Sequence, residues 1–166
     1  MSQPDILTFR LPHYAEVPSM GLYLEQTVKY INQCLTPLDE EFKVTTAMIS
    51  NYVKMKIIAN PSSKTYDRDQ IIYLLYLTLM KNVLPLNDLD TMFRIQRTEY
   101  PIAVAYDYFC DELTNALHYV FTNQNQLPTI GGALTPAKLL LKNAILAIVH
   151  KIYVKHQLPL LAESLR

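Results

Sequence analysis

One stretch of the 166-residue chain decides the fold: residues 45–80 read TTAMISNYVKMKIIANPSSKTYDRDQIIYLLYLTLM. The stretch begins with a short amphipathic segment, turns at Pro61 and ends in a run at 71–80 that is apolar on nearly all sides. Such a run predicts a central helix that is covered from more than one direction. Asp67 and Gln70 form an Asp-x-x-Gln capping box at its start. We therefore expect a small helical domain built around this helix.

Helical periodicity continues on both sides of this stretch. A first helix is predicted at about 22–35, where Leu24, Val28 and Ile31 lie on one face. Residues 46–56 predict a second, short helix, and residues 86–93 a short helix after the central one. Residues 94–101 are predicted to form a joint between this part of the chain and the helices that follow. These elements predict a domain at 20–93 that is followed by a helical C-terminal region at 94–166.

The C-terminal region contains two long apolar helices. The first is predicted at about 102–122, and the second begins at Thr135-Pro136, an N-cap followed by proline at the first helical position, and runs to about residue 156. The first of them carries a seam with heptad spacing, which favours helix pairing. Its members are Ile102, Tyr106, Phe109, Leu113, Ala116 and Val120. The fold class is therefore mostly α.

Composition narrows the function classes. Lys+Arg and Asp+Glu both total 15, so the global charge points neither to nucleic acid nor to a membrane surface. Only 3 glycines argue against a phosphate-binding glycine loop, and two distant cysteines make neither a zinc framework nor a disulfide scaffold. The longest apolar stretch is about half of the ~20 residues that span a bilayer. With no signal-peptide pattern at its start, the sequence predicts a soluble cytoplasmic protein with no membrane partner.

Local charge is more informative than global charge. Between residues 43 and 68 the only acid is Asp67, against five basic residues, so this window carries a net charge of 5 − 1 = +4. A basic patch beside a short helix with a polar outward face suits phosphate attraction and base contacts in the major groove. The alternative is an ordinary solvated surface. The basic residues are Lys43, Lys54, Lys56, Lys64 and Arg68.

The order of residues resembles the winged helix-turn-helix of MerR-type regulators. The matching elements are Ile49-x-x-Tyr52, Ile57-Ile58, Pro61 and a tyrosine, Tyr66, before a capped helix. The resemblance implies a recognition helix at 46–56 and a wing at 62–66. Two positions depart from the pattern: Lys56 stands where glycine is usual, and Ser50 where arginine is common.

A longer resemblance is to the bacterial proteins grouped as domain-of-unknown-function family 1836. It is carried by Leu11-Pro12, by Leu22-Tyr23-Leu24-x-Gln26, and by Thr46-x-Met48-Ile49-x-Asn51-Tyr52-Val53-Lys54. That family is thought to be MerR-like at the level of the fold, and it has no assigned activity. A shared fold does not by itself imply a shared function.

The MerR resemblance implies a DNA-binding set. Ser50 and Asn51 would contact bases, while Tyr52 and Lys54 would lie near phosphate. Lys64 and Arg68 would lie at the wing and at the start of the central helix. Tyr52 can instead bury its ring in the core, as tyrosines often do. The full set is Thr46, Ser50, Asn51, Tyr52, Lys54, Lys64 and Arg68.

The predicted function is sequence-specific binding of double-stranded DNA in transcriptional regulation, by a homodimer that pairs through its C-terminal helices. The alternative is a helical protein-interaction or ligand-sensing module that has lost DNA binding. The sequence identifies no effector. No Ser/His/Asp or Cys/His pattern is present, so we expect no enzyme and no catalytic residues. Asp107, Asp111 and His118 share one helix face, but one helix supplies too few ligands for a metal, and no cofactor is expected.

Overall fold

The computed structural model describes residues 3–124 and 126–166. These residues form seven α-helices and one two-stranded antiparallel sheet, so the mostly α class is confirmed. In the described residues no helix is both long and apolar enough to cross a membrane. The elements are α1 (Gln3–Thr8), β1 (Leu22–Tyr23), α2 (Leu24–Cys34), α3 (Thr46–Lys54), β2 (Thr65–Tyr66), α4 (Arg68–Met80), α5 (Leu86–Glu99), α6 (Ile102–Phe121) and α7 (Pro136–Ala162).

Helix α4 is the central helix that the sequence predicts. Every residue from 71 to 80 is buried, which explains why the run is apolar on all sides. The capping box is also confirmed: Gln70 N donates to Asp67 Oδ1 at 2.8 Å, and Asp67 N donates to Gln70 Oε1 at 2.9 Å. Burial of each leucine or isoleucine in this run stabilises the fold by about 1.5–3 kcal/mol relative to an exposed side chain.

The small sheet ties α2 to α4. Leu22 lies opposite Tyr66 and Tyr23 lies opposite Thr65. Since β1 leads directly into α2 and β2 leads through Asp67 into α4, the pairing fixes the starts of the two helices side by side. Gly21 permits the close approach, because a Cβ at this position would lie 2.7 Å from Thr65 Cβ.

Helix α5 is longer than predicted. It continues through residues 94–99, so the predicted joint is wrong over that range, and the boundary between 20–93 and 94–166 falls inside a helix. The physical reason is a tertiary contact: Gln96 is buried, and its Nε2 donates to the Ala137 carbonyl of α7 at 2.7 Å. The hydrophobic core is a single cluster with members on both sides of the boundary.

The heptad seam of α6 is buried within the chain. Leu113 is fully buried and Ala116 is 1% exposed, because α6 packs along α7. The prediction that this seam joins two chains is therefore wrong: its partner is intramolecular. Helix α7 begins with the predicted cap, Thr135 Oγ1 accepting from Lys138 N at 3.2 Å, but it continues past Pro159 to Ala162. Pro159 is exposed, so water can bond the carbonyl that a proline leaves without an N–H partner.

Candidate nucleic-acid interface

Helix α3 is short, and one of its sides packs in the core while the other is exposed to solvent. Thr45 caps it by accepting a hydrogen bond from Met48 N at 3.1 Å. Ile49 and Tyr52 point into the core and are 0% and 5% exposed. The helix ends at Lys54, two residues before the predicted end. Its solvent side, called the reading face below, carries Thr46, Ser50, Asn51 and Lys54.

The turn after α3 is left-handed although no glycine is present. Lys56 has φ +58°, with its N–H donating to the Val53 carbonyl at 3.0 Å. Ile57 N–H donates to the Tyr52 carbonyl at 3.0 Å, which completes a Schellman motif. The MerR resemblance predicts glycine at this position, whereas here a lysine adopts the left-handed conformation. A non-glycine residue in this region stores about 1–2 kcal/mol of strain.

Residues 62–65 form a tight hairpin turn at the predicted wing. Ser63 and Lys64 have φ +51° and +66°, the two successive left-handed residues of a type I′ turn. Thr65 N–H donates to the Ser62 carbonyl at 2.9 Å and closes the turn. Lys64 lies at the exposed tip. The strand that follows, β2, pairs with β1 rather than extending a long hairpin.

Two residues of the predicted DNA-binding set make contacts within the chain. Tyr52 is buried, and that burial raises the pKa of its hydroxyl. Arg68 Nε donates to the Val17 carbonyl at 2.9 Å, and its guanidinium lies 5.0 Å from the centre of the Tyr14 ring. Arg68 therefore holds the N-terminal segment against α4. The other members of the set are exposed or half-exposed, namely Thr46, Ser50, Asn51, Lys54 and Lys64.

Lys81, which belongs to no motif of the sequence, lies beside the first turn of α3. Lys81 Nζ donates to the Lys43 carbonyl at 2.9 Å and contacts Met48 Sδ at 3.5 Å. Burial lowers the pKa of Lys81, and burial also lowers the pKa of Lys43, which donates to the Leu35 carbonyl at 2.6 Å. The N-terminal turn of a helix is itself electropositive, so Lys81 adds to a local positive field. The contacts of Lys81 in the folded chain are what identify it, because no sequence motif includes this residue.

Three polar residues of α6 contact the N-terminal segment of the chain. Asp107 Oδ1 accepts from Tyr14 N–H at 2.7 Å, and Asp111 Oδ1 pairs with His13 Nε2 at 2.7 Å. His118 Nε2 lies 3.0 Å from the Leu7 carbonyl oxygen. Each of the three residues thus has its own partner. In the described parts of the chain, no three His, Cys, Asp or Glu side chains meet as metal ligands.

These features define a mostly helical protein in which the short helix α3 has a polar solvent side, is followed by a left-handed turn at Lys56 and packs on a single core. The model of the family described as Domain of unknown function (DUF1836) matches residues 12–109, well over half of the chain. The chain belongs to this family. No match was found among curated proteins or among solved structures.

Proposed function

We propose that the protein binds double-stranded DNA as a MerR-like winged helix-turn-helix regulator of transcription. Helix α3 would enter the major groove, and Lys64 at the tip of the 62–65 turn would contact the backbone as a wing does. The observation that carries the proposal is the reading face: its polar residues point to solvent while Ile49 and Tyr52 fix the opposite side in the core.

The size of α3 supports this placement. An α-helix with its side chains is about 10–12 Å across, which fits the ~12 Å width of the major groove of B-DNA, and the nine residues of α3 lay about 2.5 turns in it. Asn51 is the residue suited to base recognition, because its amide can bond an adenine edge in a bidentate manner. Ser50 and Thr46 are less selective donors and acceptors.

The charge of three exposed lysines supports the same proposal. Lys54, Lys56 and Lys64 are exposed, and no carboxylate among the described residues lies within salt-bridge distance of them. Three such lysines on three phosphates would give a slope of about −2.7 in log affinity against log salt. The strain at Lys56 is consistent with a functional position, because strained residues concentrate at binding sites.

Two exposed methionines, one in α3 and one directly after it, favour a second candidate function. Met48 and Met55 are 38% and 48% exposed, and Asn51 Nδ2 contacts Met55 Sδ at 3.4 Å. Exposed methionines adapt to apolar partners, so α3 could equally serve as a protein-binding face in a module that has lost DNA binding. This candidate predicts no salt-dependent affinity for DNA.

The test begins with selection of bound sequences from random duplex DNA, followed by titrations of the selected duplex at several salt concentrations. Asn51→Ala should lose about 1–3 kcal/mol of discrimination at one base position. Lys54→Ala should weaken binding to all sequences and reduce the salt slope by about 1. The matched control is Arg166→Ala, which removes an exposed cation at the other end of the chain and should leave both quantities unchanged.

One result would decide against DNA reading. If the parent protein and both α3 variants bind selected and random duplexes equally, and no more tightly than a neutral control protein does, then α3 is not a recognition helix. The exposed methionine flank would then be the stronger candidate.

A further inference from the structure

The segment that leads into α3 is bonded by side chains from two other parts of the fold. Residues 43 and 44 lie between the 3-10 turn Glu40–Phe42 and Thr45, the residue that caps α3. Asn32 lies on α2, and Lys81 directly follows α4. The side chains of Asn32 and Lys81 bond the backbone of residues 43 and 44, and the two are called the α3 clamp below.

Asn32 bonds both backbone groups of Val44. Its Nδ2 donates to the Val44 carbonyl, and its Oδ1 accepts from Val44 N–H, both at 2.9 Å. An asparagine amide offers a donor and an acceptor, so one side chain is enough for both bonds. Because Val44 is only 1% exposed, its side chain is also fixed in the core.

Lys81 bonds the residue before Val44. Its Nζ donates to the Lys43 carbonyl at 2.9 Å. The side chain of Lys43 in turn donates to the carbonyl of Leu35, directly after α2, at 2.6 Å. Residues 43 and 44 are therefore bonded to the ends of two helices, α2 and α4, immediately before α3 begins.

A small change of direction at the clamp would displace the reading face. The buried Ile49 and Tyr52 determine which side of α3 faces the core, whereas the clamp holds the N-terminal end of the helix. Asn51 lies roughly 10 Å from Val44 at 1.5 Å per residue, so a tilt of about 6° displaces Asn51 by about 1 Å. Such a shift breaks a hydrogen bond, because N–H···O distances stay within about 2.7–3.2 Å.

We propose that Asn32 and Lys81 are positioning residues that set the sequence preference of the protein. By fixing the direction of α3, the clamp determines which base pair the Asn51 amide reaches, and neither clamp residue itself contacts DNA. This inference rests on the proposed DNA-binding function. A merely structural role would lower the melting temperature of clamp variants and leave the ratio of affinities for selected and random duplexes unchanged.

The first test measures that ratio in variants that lose the clamp bonds. Asn32→Ala and Lys81→Met should each lower it about tenfold, the effect of weakening one base contact, with an unchanged circular dichroism spectrum. In an Asn51→Ala background, Asn32→Ala should cause no further loss, because the contact through which it acts is already absent. The matched control is Asn115→Ala on α6, whose Nδ2 donates to the Pro128 carbonyl at 2.8 Å, and it should leave the ratio unchanged.

Salt dependence distinguishes a positioning lysine from a phosphate contact. If Lys81 acts through the Lys43 carbonyl, Lys81→Met should keep the salt slope of the parent. A slope that is smaller in magnitude by about 0.9 would show that Lys81 lies on a phosphate, and this result would overturn its positioning role.

Nuclear magnetic resonance tests the direction of α3 without DNA. In Asn32→Ala, the residual dipolar couplings of amides 46–54 should depart from those of the parent, while the couplings of α4 should not. Lys81→Met serves for the same measurement if Asn32→Ala does not fold. Unchanged couplings overturn the clamp, as does an unchanged affinity ratio in variants of a parent that prefers the selected duplex. A parent that binds selected and random duplexes equally overturns the proposed function and, with it, the role of the clamp in sequence preference.

Discussion

Replacing Lys56 with glycine should stabilise the protein. Lys56 holds φ +58° in the Schellman turn after α3, which costs a residue with a Cβ about 1–2 kcal/mol. Glycine removes that cost but loses about 0.5–1 kcal/mol more conformational entropy on folding. The expected net gain for Lys56→Gly is therefore about 0.5–1 kcal/mol. For a chain of this size the melting temperature should rise by about 1–4 °C in differential scanning calorimetry.

Two control variants separate backbone strain from charge. Lys56→Ala removes the same positive charge but keeps the Cβ, so it should show no gain beyond about 0.5 kcal/mol, the usual range for a surface substitution. Lys54→Gly places glycine in the last helical residue of α3 and should destabilise by about 0.5–1 kcal/mol. If Lys56→Gly melts at the same temperature as Lys56→Ala, the left-handed turn carries no strain and the reasoning fails.

Two further predictions concern the core. Leu75 is fully buried in α4, so Leu75→Ala should cost about 2–5 kcal/mol in chemical denaturation, and an unchanged unfolding midpoint would show that α4 is not central. Burial raises the pKa of Glu112, so the folded state holds a proton that the unfolded state releases, and stability falls as pH rises above the ordinary value of about 4.3. Glu112→Gln keeps a hydrogen-bond partner for the Tyr108 hydroxyl. The melting temperature of this variant should therefore equal that of the parent near pH 4 and exceed it near pH 7. A difference in melting temperature that is the same at both pH values would contradict this prediction.

Local signals in the sequence predict several elements well. The Asp67–Gln70 capping box, the Thr135-Pro136 start of α7 and the apolar run of α4 depend on residues a few positions apart, and the structure confirms all three. The start of α3 at Thr46 is confirmed for the same reason, since Thr45 caps it locally. Such features are readable because their energies arise within one turn of the chain.

Features that depend on distant contacts could not be predicted. The heptad seam of α6 correctly predicts a helix partner, but spacing alone does not say whether that partner is α7 of the same chain or another molecule. Likewise, Gln96 looks like an exposed polar residue, and the sequence does not show that its amide donates to the Ala137 carbonyl of α7. Arg68 has the charge of a phosphate contact, yet Val17, which lies 51 residues earlier, accepts its hydrogen bond.

Both ends of α3 are held in place by contacts outside the reading face, so substitutions on the reading face can test its function. A nine-residue helix is marginal by itself in water, so its shape must be imposed by its surroundings. Asn32 on α2 clamps the residue before the cap: its Nδ2 donates to the Val44 carbonyl and its Oδ1 accepts from Val44 N–H, both at 2.9 Å. At the other end the Lys56 turn closes onto Tyr52 and Val53. Because both ends are fixed by groups outside the reading face, substitutions at Asn51 or Lys54 remove contacts without releasing the helix, and a loss of affinity there measures recognition.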